Sequence, residues 1–154
     1  MKKKSSLRSD LARLRRLSWR GWALLAEAVL LLGASRACVL VFPYRRIMTW
    51  LGQRQGERAI AAPPQLIVQR VAWAVRAASL RTPWNSNCLA QALAGQIMLG
   101  RRGVASTIHF GVMRETSGKL AAHAWLSAGD VFVTGKYGLE QYTEVAQFAR
   151  GVGG

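Results

Sequence analysis

The chain has 154 residues, 51% of them hydrophobic and 19% charged. That suits one domain with a real core and excludes wholesale disorder. Two cysteines exclude a disulfide scaffold and a four-thiolate metal centre, and two histidines leave a structural zinc site short of ligands. Twenty-two Lys and Arg against seven Asp and Glu give a net charge of +15, so an anionic surface or partner has to be considered.

The charge is concentrated at the front. Residues 1–20 hold eight basic groups against the single acid Asp10, and residues 1–58 carry +10 of the total. This stretch reads either as a solvated arm or as an electrostatic arm for anionic lipid or an acidic partner. Nucleic acid is not expected, because no RNP-type aromatic strand, zinc finger or heptad extension accompanies the charge. Leu7, Leu11, Leu14 and Leu17 recur at helical spacing among the arginines, and Gly21 is a place for a break. Trp22 to Ser35 looks like the apolar part of a signal peptide, but Glu27 interrupts it. Arg36 ends it after 14 residues, short of the roughly 20 a spanning helix needs. A buried or interfacial helix over residues 22–41, stopped by Pro43, fits better, with reduced thiols in a bacterial-type cytoplasm. Tyr44 to Leu51 reads as a short helix and residues 53–62 as a connection. Pro63-Pro64 opens the next helix, with Ile67, Val71, Ala74, Val75 and Ala78 in one apolar stripe.

The period then changes. Residues 88–99 read as a helix closed by Gly100. Ser106 to Met113, Ala121 to Ala128 and Val131 to Thr134 read as strands, with turns at Thr116-Ser117-Gly118 and Gly129-Asp130. Leu139 to Arg150 is expected as a short helix with Tyr142, Val145 and Phe148 inward. The plan is α+β rather than alternating βαβ. A basic, apolar helical region over 1–62 would precede a core over 63–154.

Cys88 is the sharpest chemical feature. It follows Pro-Trp-Asn-Ser-Asn, and Asn85 or Ser86 is a suitable N-cap, which puts Cys88 in the first turn of its helix. At such a position the free N–H groups and the helix dipole favour a thiolate, and the same N–H groups can hold an oxyanion. Cys38, in Ala-Cys-Val-Leu-Val-Phe, reads as an inert core residue. A nucleophilic thiol needs a base, and the chain offers His109 and His123, both on expected strands. Whether the two rings share a side of the sheet depends on register, which the sequence leaves open. A buried thiol with backbone-satisfied histidines is the alternative.

The run PWNSNCLAQALAGQIMLGRRGVASTIHFGV, followed by KLAAHAWLSAGDVFVTG, resembles the transglutaminase-like domain of lasso-peptide biosynthesis B proteins, leader peptidases that include the microcin-processing enzyme. The ordered pattern is Trp-x-x-x-Cys-Leu-x-x-Ala-Leu, Arg-Arg-Gly, a strand ending Phe-Gly-Val, then Ala-His-Ala-Trp. The helical front, with Pro43-Tyr44-Arg45-Arg46 and Leu51-Gly52, is similar to the stand-alone form. The resemblance implies a papain-like cysteine protease constellation on a Cys-bearing helix and a small antiparallel sheet. It implies Cys88 as nucleophile and His123 as general base, with His109 a structural strand residue. The family carboxylate falls near Thr134-Gly135. The nearest acid is Asp130, which is either the orienting group or only a turn residue. Trp84 either lines a substrate groove or packs. The implied reaction is removal of the leader from a ribosomally made precursor peptide. No cofactor or metal is implied. A separate leader-recognition protein and an ATP-using, asparagine-synthetase-like macrocyclase are implied as partners, with the basic helical half a surface for them or for peripheral membrane contact. The alternative is a catalytically impaired transglutaminase-like scaffold in a peptide-maturation complex.

Overall fold

The computed structural model describes residues 18–50, 63–83 and 87–151. The leucine repeat from Leu7 to Leu17, the 53–62 connection, Trp84 and the expected caps Asn85 and Ser86 lie outside them. The elements are helices α1 (Trp19–Val41), α2 (Tyr44–Trp50), α3 (Gln65–Ser79) and α4 (Cys88–Gly100), then strands β1 (Ser106–Arg114), β2 (Leu120–Ala128) and β3 (Val131–Thr134). A 3₁₀ turn at Leu139–Gln141 leads into β4 (Thr143–Arg150). The strands form one antiparallel sheet in the order β3-β2-β1-β4. The expected α+β class is the observed one.

α1 starts before the expected Trp22, and Gly21 lies inside it rather than breaking it. Leu25, Ala28, Leu32 and Ser35 recur at three to four residues and are buried against α3 and α4. Pro43 cannot continue the helix, and the N–H of Phe42 closes it on the Cys38 carbonyl. α3 begins after Pro64 and buries Val68, Val71, Ala74, Val75 and Ala78. α4 is apolar almost all round, and such a helix must be buried all round. It sits between α1 and α3 on one side and the sheet on the other. Gly95 permits the close approach: a Cβ there would come within 2.7 Å of Leu126 Cδ2. Glu27 ties α1 to the end of α4 through Arg102 at 2.6 Å and Arg101 at 3.2 Å.

Strand alternation gives the sheet two unlike faces. Ile108, Phe110, Ala124 and Leu126 face α4 and join the core. His109, Gly111, His123 and Trp125 occupy the other face, with His109 opposite Trp125 and Gly111 opposite His123.

The expected helix over Leu139 to Arg150 is not formed. Only Leu139–Gln141 is helical, and the rest is β4, paired to β1. The three-residue spacing of Tyr142, Val145 and Phe148 also fits a strand with a bulge. Phe110 pairs with Ala146 and Gly111 with Glu144, so Val145 is the extra, exposed residue. Ala146 and Phe148 pack on the core, and the free edge of β1 takes the segment as a strand.

Candidate active site

Cys88 is the first residue of α4. Its N-cap is Asn87, one or two residues later than expected, whose side chain accepts the N–H of Ala90 at 2.9 Å. The amides of Cys88 and Leu89 have no partner among the described residues. The thiol is half-buried against the core and makes no hydrogen bond among the described residues. Cys38 is half-buried on α1 and packs against the same core.

The direction of α4 follows from its contacts. Gly95 lies against Leu126, and Gly100 lies against the side chain of Arg150, which pairs with Ser106. The N-terminus of α4 therefore points to the end of the sheet where Val112 pairs with Ala122. Cys88 and His123 lie toward the same end, but alternation turns the His123 ring to the face away from α4. β3 stops at Thr134, opposite Leu126. From Leu120 to Trp125, no described strand pairs with β2 on that side. An approach of the thiol to the imidazole would have to pass around this edge, because the sheet itself lies between α4 and the face that carries the ring.

His123 leans toward that edge. Its Nε2 lies 3.0 Å from the carbonyl oxygen of Gly135, to which it donates when that nitrogen carries the proton. The ring is flanked by Tyr142 at 5.1 Å and Trp125 at 6.2 Å between centroids. Nδ1 has no partner among the described residues. Gly135 has φ +73°, and a Cβ there would lie 2.8 Å from the Ala124 carbonyl oxygen. The place where the family resemblance implies a carboxylate thus offers a main-chain carbonyl, held by a conformation that favours glycine.

Asp130 is not brought to His123. It lies in the β2–β3 turn, and the five strand steps from His123 to Ala128 already span about 16 Å. Asp130 instead lines a cavity of about 520 Å³ on the outer face, with His109, Trp125, Ser127, Tyr142 and Glu144. His109 is held there by its neighbours. Nε2 is 2.9 Å from Ser127 Oγ, the ring stacks on Trp125 at 5.4 Å, and Nδ1 is 3.3 Å from Glu144 Oε2. The last contact is off the hydrogen-bonding direction, so it is an ion pair when the ring is protonated. Without the bulge at Val145, Glu144 would share the core face with Ala146; the bulge turns it to His109.

Sequence reasoning missed Gly111, and it missed that Gly135 and Tyr142 hold the His123 ring. A glycine inside a strand is itself a signal of close approach. At Gly111 a Cβ would come within 2.9 Å of both Trp125 and Tyr142. Among the described residues, no three His, Cys, Asp or Glu side chains are grouped to hold a metal ion.

The family model of the transglutaminase-like superfamily matches residues 28–147, a span that holds Cys88, both histidines and Asp130. No curated protein and no solved structure matches the chain significantly.

Proposed function

The chain belongs to the transglutaminase-like superfamily, and from that premise we propose that it is a cysteine peptidase that removes the leader from a ribosomally made lasso-peptide precursor. The observation that carries the proposal is Cys88 at the head of the buried central helix, at the end of the sheet where His123 is fixed by the Gly135 carbonyl. The motif order from Trp84 to Trp125 supports the substrate class.

In this reading His123 Nδ1 takes the thiol proton and the Cys88 sulfur attacks the carbonyl carbon at the leader–core bond. The amides of Cys88 and Leu89, which have no partner among the described residues, face the oxyanion. The C–N bond breaks, His123 protonates the leaving amine, and a thioester remains on Cys88. Water, deprotonated by His123, then releases the leader carboxylate and restores the thiol. The step requires the two groups to come within hydrogen-bond reach around the open edge of β2. Catalytic contacts of this kind are often long before substrate binds. The leader-recognition protein, the macrocyclase and a cytoplasmic setting belong to the same proposal.

A second reading is favoured by a specific observation. Gly135 stands where a carboxylate is expected, and His123 faces away from α4, as an impaired scaffold would allow. Cleavage of a candidate precursor, with the leader-binding partner added, separates the two. The peptidase reading predicts cleavage by the native chain and a loss of about 100-fold or more in Cys88→Ala and in His123→Ala, with thermal melts unchanged. No cleavage by the native chain, or undiminished cleavage by either variant, sinks it.

A further inference from the structure

α1 has two apolar faces, and the described residues cover only one. The inner face holds Leu25, Ala28, Leu32 and Ser35. On the opposite side Trp19, Trp22, Ala26, Leu30, Ala37 and Leu40 form a second stripe at spacings that keep one side of a helix outward. It is open to solvent: Trp19 is 75% exposed, Leu30 73% and Leu40 68%. Over 22 residues the stripe is about 33 Å long, and it contains no charged residue. A continuous exposed apolar surface of this length marks an interaction site.

We propose that this face docks the protein on an anionic lipid bilayer, with α1 lying in the interface rather than crossing it. Charge complementarity selects the occupant. The segment that runs into Trp19 is the most basic of the chain, and Arg20 at the stripe's edge sits 5.5 Å from the centroid of the Trp19 ring. Tryptophan beside basic residues, with leucine along the same face, is the composition that settles at headgroup depth on negatively charged lipid. The orientation follows from the inner face. α1 is long and apolar enough to cross a membrane, but spanning would strip Leu25, Ala28 and Leu32 from α3 and α4. It would also take Glu27 away from Arg101 and Arg102. Lying flat keeps both faces covered.

The test is flotation of the full chain with two vesicle compositions: phosphatidylcholine alone, and phosphatidylcholine with phosphatidylserine. The expected result is flotation with the anionic vesicles only, weakened by high salt and reversed by alkaline carbonate. Leu30→Glu with Leu40→Glu lowers binding at least tenfold without moving the thermal melt, because both side chains are exposed. The proposal is overturned by absence of binding or by equal binding to neutral vesicles. It is also overturned by equal binding of the double variant or by resistance to carbonate extraction. A native dimer without lipid that the double variant dissociates assigns the face to a second copy and overturns it too. None of these outcomes depends on whether the chain cleaves peptides.

Discussion

Gly135 decides how His123 is held. A carboxylate at this place would orient the ring and balance the imidazolium with a full charge. A carbonyl orients it equally well but brings only a partial charge, so less of the imidazolium is stabilised. The arrangement depends on the glycine itself. Alanine there meets a left-handed backbone, costing about 1–2 kcal/mol, and a Cβ 2.8 Å from the Ala124 carbonyl oxygen. Gly135→Ala should therefore lower the urea unfolding free energy by about 2 kcal/mol or more and slow precursor cleavage along with it. An unchanged unfolding midpoint would contradict this account of the turn. Much at this scale was legible beforehand. Pro83 and the polar residues before Cys88 announced a helix start, and the cap shifted only to Asn87. The Gly135 contact was not legible, because a main-chain acceptor leaves no mark on residue type.

Among the elements, α4 is the one around which the others are arranged. Its all-round apolarity made it readable as a buried helix, and Gly95 lets it approach β2 more closely than any larger residue would. Gly95→Val should overpack this contact against the fully buried Leu126, at a cost of about 1–3 kcal/mol. A urea titration that shows no loss would mean that the helix–sheet distance is not set there. β4 shows the limit of periodicity. Thr143 to Arg150 carries a bulge, which breaks the two-residue alternation and imitates a helical stripe. Only the unpaired edge of β1 decides the matter, and that is a tertiary fact. The same bulge places Glu144 beside His109, so a misread element also hid a polar cluster.

At the scale of the whole molecule, three tiers separate three tasks. α1 presents an exposed apolar face outward, its inner face forms the core with α3, α4 and the inner sheet face, and the outer sheet face carries both histidines. Residues 1–58 carry +10 of the +15 net charge, and α1 itself only +1. The charge says nothing about the proposed reaction at the edge of β2. The face shared by His109 and His123 depends on register, a property of the assembled sheet. The α+β class, the helix carrying Cys88 and the first three strands could be read from composition, turns and period alone. The central claim is that Cys88 and His123 act as a pair across that edge. It is tested most directly by the rate at which iodoacetamide alkylates Cys88 at neutral pH, read by peptide mapping so that Cys38 is scored separately. The account predicts that Cys88 reacts at least tenfold faster than Cys38 and than free cysteine, and that His123→Ala removes the difference. A Cys88 that reacts no faster than free cysteine, with no response to His123→Ala, would contradict it.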